Sequence, residues 1–273
     1  MHEAERQSLP NTDRLSVLTA SILLAYAVLP FVQLPDRSYS LPLLGILFVY
    51  EINFSTILTI ISAALAAAGT DWLLRDHPRL GGQSTFQHWL LPAFTAWVIG
   101  APLSASQVGL QWWGVFGFGS LLLVMVLVSE YIAVDPYDTR HGPASVALIA
   151  VSYALFLILI ITLVGAGMRL YLLLPAIVLA VFLITLRSLY LRLNGRWSLG
   201  WSAAVALVVG QVVTALHYLP IAPLRFGLMV VGLAYALASL AGSVEEHRAG
   251  RGLWLEPVLM IAVLWGLALF LRI

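Results

Sequence analysis

The sequence predicts an all-α, polytopic integral membrane protein, a bundle of nine or ten transmembrane helices with almost no soluble part. Three observations predict it. Hydrophobic residues make up 61% of the 273 positions and charged residues 10%, with a mean hydropathy of +0.95; a soluble domain carries about 45–50% apolar and about 25% charged residues. The charges collect between long apolar runs, as a hydrocarbon slab requires, because a charge costs several kcal/mol at the bilayer centre and little at its surface. Arginine-rich and arginine-poor connections alternate along the chain.

About 20 apolar residues span a bilayer. By that measure the runs are Leu15–Leu34, Leu41–Leu74, Phe86–Leu103, Gln107–Val134, Ala144–Leu170, Leu172–Leu193, Trp197–Leu219, Pro223–Gly242 and Leu253–Ile273. Residues 1–14 read as a short polar tail and 15–273 as one transmembrane domain. The tail and first run lack a small-residue cleavage pattern, so that run reads as a retained helix. The run Leu41–Leu74 is too long for one crossing, since its length as a helix would approach ~50 Å against a core of ~30 Å. A break near Glu51 is expected, either as a turn between two short helices or as one crossing continued by a broken segment.

The connections bearing Arg75 and Arg79, Arg140, Arg192 and Arg196, and Arg248 and Arg251 alternate with one lacking arginine around Pro102 and others carrying only Arg169 or Arg225. The positive-inside rule then places the rich loops in the cytoplasm of a bacterial-type membrane and the C-terminus outside. Nine crossings also place Arg6 and Arg14 inside. Trp72, Trp89, Trp112, Trp113, Trp197, Trp201 and Trp254 fall near predicted helix ends, where aromatic rings prefer the headgroup level. Ala234, Ala238 and Gly242 form a small-xxx-small row, and Gly114, Gly117 and Gly119 thin another helix, which predicts close helix contacts.

Several chemistries are excluded or unsupported. All fourteen basic residues are arginine, so no lysine is available for a Schiff base. Cysteine is absent and the net charge is +1, which removes thiolate metal sites and leaves no nucleic-acid footprint. No nucleophile with a partner base is apparent, no cofactor is expected, and the balance is against an enzyme.

Glu51 is the first candidate for function, because it lies inside an apolar run with no other charge between Arg37 and Asp71. An ionisable group there marks a functional site by default. Asn53 and Thr56 offer it polar partners, and Pro42 and Gly45 precede it, as in the discontinuous helices that expose backbone groups to a solute. The competing reading is a solvated turn. Gln211, Thr214 and His217 recur at i, i+3, i+6 and give a second polar stripe, suited to a pathway or to interhelical hydrogen bonds. The acids Asp71, Asp76, Glu130, Asp135, Asp138, Glu245 and Glu246, with His77, His141 and His247, share the predicted cytoplasmic face. Interleaved arginines favour salt-bridged loops there over a metal centre. Arg187 is expected to snorkel to the inner interface.

The functional expectation is a transporter or channel-like protein for a small solute or ion, centred on Glu51. The alternatives are a non-catalytic subunit or assembly factor, and an enzyme acting on a lipid at the cytoplasmic surface. Expected partners are membrane lipids and either partner subunits or further copies of the chain, with no nucleic acid.

Overall fold

A computed structural model describes residues 10–32, 37–43, 46–78, 80, 85–193, 195–247 and 250–271; residues 37–43, 46–52 and 251 are described by their backbone alone. Nine helices lie among them: α1 Thr12–Val28, α2 Phe54–Leu74, α3 Phe86–Ala105, α4 Leu110–Ala133, α5 His141–Gly165, α6 Leu170–Arg192, α7 Leu199–His217, α8 Pro223–Glu245 and α9 Arg251–Phe270. Seven of them, all but α1 and α3, are long and apolar enough to cross a membrane. The protein is a polytopic helical membrane protein. Arg79, Arg248 and Arg272, used above for topology, lie outside the described residues.

The long run breaks where expected, but its first part is not a short helix. β1 Arg37–Leu43 and β2 Ile46–Ile52 pair antiparallel, with Ser38 opposite Glu51 and Leu43 opposite Ile46. Proline and glycine at 42 and 45 discourage a helix there, and the β-branched and aromatic residues Ile46, Phe48, Val49, Tyr50 and Ile52 suit a strand. α2 then starts sharply because Asn53 caps it, its Oδ1 accepting from the Thr56 backbone N–H at 2.9 Å.

The chain divides into two compact units, Met1–His141 and Gly142–Ile273. In the first, α3 packs against both α2 and α4, and α1 packs against α2. The core gathers Leu18, Ile22 and Tyr26 from α1, Leu73 and Leu74 from α2, Ile99 and Leu103 from α3, and Leu123 and Leu127 from α4. α3 carries Pro92 and Pro102 and has ten buried residues. Trp112 is buried rather than interfacial: it donates from its indole to the Leu103 carbonyl at 3.2 Å and stacks on Phe116. Trp72, Trp113, Trp197, Trp201 and Trp254 are exposed near helix ends.

In the second unit α8 is the central helix, in contact with α6, α7 and α9. Its small residues permit this. Gly227 and Gly232 lie so close to Leu157 of α5 and Leu264 of α9 that an added Cβ would meet them at 2.8 and 3.1 Å. Ala234, Ala238 and Gly242 are buried, as the small-residue row requires. Of the other glycine row, Gly119 faces Ile99 closely, while Gly114 and Gly117 face nothing within 4 Å. Arg187 does not snorkel: it is among the largest fully buried side chains, with its guanidinium 5.4 Å from the Tyr190 ring. It sits more than a turn before the end of α6, where residues 184–189 are all buried, so its reach is spent inside the protein.

A candidate amphiphile cavity in the second helical unit

Residues 235, 239, 242 and 243 of α8, with 246 at its C-cap, fall on one helical face, since they follow the i, i+4, i+7, i+8, i+11 spacing of a 3.6-residue period. That face carries Tyr235, Ser239, Gly242, Ser243 and Glu246. The absence of a side chain at Gly242 lets Arg192, the last residue of α6, lie across α8: a Cβ there would stand 2.8 Å from Arg192 Cδ and 2.9 Å from Nε. The guanidinium is thereby held on the polar face. Its Nε donates to Glu246 Oε1 at 2.6 Å and its Nη2 to Glu246 Oε2 at 3.3 Å and Ser243 Oγ at 3.0 Å. Nη1 donates to the Ser239 carbonyl at 3.3 Å.

Beyond the guanidinium lies Glu256, from the second turn of α9. Its Oε2 stands 3.9 Å from Arg192 Nη1, and its Oε1 accepts from the Tyr235 hydroxyl at 2.8 Å. Tyr153 of α5 meets the Tyr235 ring edge to face at 5.1 Å. These groups form one end of a cavity of about 600 Å³ between α5, α6, α8 and α9. The remaining wall is apolar, including Ile149, Leu157, Val231, Met260 and Leu264. A volume of this size lies within the roughly 300–1,000 Å³ of small-molecule sites.

Two hydroxyls in the wall carry more information than the ion pairs. Tyr153 and Ser188 are 7% and 8% exposed, line the cavity, and face one another, yet neither hydroxyl closes a hydrogen bond of ordinary geometry among the described residues. A buried hydroxyl without a partner costs about 1–3 kcal/mol. A polar group entering the cavity would remove that penalty.

The residues singled out in the sequence sit elsewhere. Glu51 is the penultimate residue of β2, and its side chain is outside the described atoms. Asn53 and Thr56 serve the start of α2: Asn53 Oδ1 also accepts from Thr56 Oγ1 at 2.6 Å and Ser55 Oγ at 2.8 Å. In the second unit Gln211 is exposed, Thr214 donates to the Gly210 carbonyl of its own helix at 2.9 Å, and His217 packs edge to face on Tyr218. None of these three lines the cavity. Sequence reasoning did not single out Tyr153, Ser188, Tyr235 or Ser239; the stripe on α8 is the signal that would have found the last two.

Among the loop acids, Asp71 pairs with Arg75 at 2.7 Å and accepts from Thr85, and Asp76 pairs with Arg14 at 2.8 Å. Glu130 is not a solvated loop residue. It is fully buried, and its Oε2 lies 2.7 Å from His88 Nδ1. Among the described residues no three His, Asp or Glu side chains gather as a metal ion would need.

With this geometry in hand, comparison with known families gives one match, to a protein of unknown function, DUF5656, over residues 34–271. The chain belongs to the DUF5656 family. The family's match covers the β-hairpin, α2 to α9 and every cavity residue named above. No curated protein and no solved structure matches the chain.

Proposed function

We propose that this membrane protein binds an amphiphile drawn from the bilayer, with the apolar chain in the cavity between α5, α6, α8 and α9 and the head at Tyr153, Ser188, Tyr235 and Glu256. The observation that carries the reading is the pairing of an apolar wall with two buried, unsatisfied hydroxyls at its polar end. A solute path for a small ion would need polarity along its length, whereas this wall is polar at one end only. The reading gives the lipid-directed alternative a location. Support for transport through Glu51 is limited to the break before α2.

The topology belongs to the same proposal. The arginine-rich loops face the cytoplasm and the C-terminus lies outside. Arg192 and Glu246 end their helices at such loops, so the polar end of the cavity faces the cytoplasmic leaflet.

The test is purification in mild detergent followed by mass spectrometry of retained lipids, in parallel with Ala154→Trp, which fills the cavity from an exposed wall position. The expected result is a retained amphiphile that Ala154→Trp loses while its helical circular dichroism is unchanged. Equal retention by both proteins, or none by either, overturns the proposal.

A further inference from the structure

The hydroxyl protons of Tyr153 and Ser188 narrow what the cavity would take. Other buried hydroxyls on the helices donate to the carbonyl one turn back: Thr70 to Ala66 at 2.6 Å, Thr95 to Leu91 at 2.7 Å, Ser152 to Leu148 at 2.7 Å and Ser202 to Ser198 at 2.8 Å. Ser188 does not, although Ile184 stands one turn before it on α6. Its hydroxyl is turned toward Tyr153 in the cavity wall instead. Ser62 and Thr185 close no such bond either, but neither borders the cavity.

A hydroxyl has one proton to donate and two lone pairs with which to accept. Tyr235 places its proton on Glu256 at 2.8 Å. Tyr153 and Ser188 place theirs on no acceptor among the described residues. Even drawn together they could settle only one of their two protons between themselves, so at least one, and in the observed geometry both, lacks an acceptor. A donor head does not cure this, because a hydroxyl that accepts from it still has its own proton to place. An alcohol head accepts one proton and brings another. A carbonyl oxygen has two lone pairs and no proton, so a single atom of this kind satisfies both hydroxyls.

We infer that the cavity selects an amphiphile whose polar part is a carbonyl group, its oxygen accepting from both Tyr153 and Ser188. This rests on the amphiphile-binding reading above. The shared chemistry is a neutral C=O on an apolar body, whether the ester linkage of a lipid or the ring carbonyl of a long-chain quinone. Ser188 stands one turn inside the end of α6 and Tyr153 about three turns inside the start of α5, so the two donors lie within the helices, where a linkage or ring carbonyl reaches, rather than at their ends.

The experiment measures binding of probes of one chain length to the purified full chain in detergent: methyl decyl ketone, dodecanol and dodecane, each referred to its partition into detergent alone. The expected order is ketone over alcohol over alkane, with about a tenfold preference for ketone over alkane. Tyr153→Phe and Ser188→Ala should each cut that preference several-fold. Ser152→Ala, which removes a hydroxyl satisfied by its own helix and outside the cavity wall, should leave it unchanged. With no probe present, Tyr153→Phe should melt no lower than the parent, because the hydroxyl it deletes has no hydrogen bond to lose. A short-chain diacylglycerol bound more tightly than its diether analogue assigns the carbonyl to an ester lipid; decylbenzoquinone bound more tightly than its hydroquinone assigns it to a quinone. Ketone bound no better than alcohol or alkane, a preference unchanged in both hydroxyl variants, or a lower midpoint in Tyr153→Phe would overturn the inference while leaving the cavity as an amphiphile site. Loss of no probe in Ala154→Trp would overturn the amphiphile reading itself.

Discussion

Replacing Gly242 by alanine tests whether the cavity's ion pair depends on one missing methyl group. The new Cβ would stand 2.8 Å from Arg192 Cδ, 2.9 Å from Nε and 3.1 Å from Cζ. These atoms are not a free side-chain tip, because Glu246, Ser243 and Ser239 hold the guanidinium. Alanine gains about 1 kcal/mol over glycine in a helix interior, while forced overpacking costs roughly 1–3 kcal/mol; the guanidinium's displaced hydrogen bonds, worth about 1.5–3 kcal/mol each to a charged group, add to the loss. The net expectation is destabilisation by about 2 kcal/mol, a shift of several degrees in the thermal midpoint. Gly266→Ala supplies the control, since its Cβ meets nothing within 4 Å and only the propensity gain remains. Thermal unfolding in detergent, followed by tryptophan fluorescence, should show Gly242→Ala melting lower and Gly266→Ala melting no lower than the parent. In a double-mutant cycle, Arg192→Ala should abolish the cost of Gly242→Ala, because the atoms it strikes are gone. Additive losses in that cycle would refute the reasoning.

Other predictions concern the remaining parts of the fold. Asn53→Ala removes the acceptor for Thr56 N–H, Thr56 Oγ1 and Ser55 Oγ and should destabilise the first unit by about 1 kcal/mol, read as a lower thermal midpoint, with Asn53→Asp close to neutral. His88→Ala leaves the fully buried Glu130 carboxylate without its 2.7 Å partner, and should cost about 3–5 kcal/mol; Glu130→Gln in that background should recover part of it, as measured by the same melting assay. Single cysteines at Thr139 and Ala166, in a chain that has none of its own, should label with an impermeant thiol reagent from opposite sides of the membrane, Thr139 from the cytoplasm. Labelling of both from one side would contradict the arginine-based topology.

The membrane class was legible because it depends on totals: apolar run length and the exclusion of charge are properties of composition that no single contact can reverse. Some helix starts were nearly as readable, as at Pro223, where a proline acts locally. What the sequence did not reveal depends on partners distant along the chain. Residues 46–52 have the apolarity of a membrane helix, and only their strand pairing with 37–43 separates the two outcomes. Trp112 has an interfacial position by sequence, yet Leu103 and Phe116 bury it. Glu130 resembles the loop acids until His88, 42 residues away, is brought beside it. The cavity was the least legible of all: Arg192 and Glu246 read as ordinary loop charges, because what distinguishes them is which faces α6 and α8 turn toward one another.

The position of α9 has a consequence for assembly. It packs on α8, where Trp265 donates to the Met229 carbonyl at 3.0 Å, while Trp254, Leu255, Val258, Leu259, Val263, Leu269 and Phe270 are exposed. Insertion into a bilayer and association between inserted helices are separate stages, and apolarity drives only the first. Without α9 the cavity lacks Glu256, Met260 and Leu264 and is open on that side. All three arrive with α9, the helix synthesised after all the others described here. The cavity therefore gains its fourth wall only when α9 docks on α8, a step of helix association distinct from insertion.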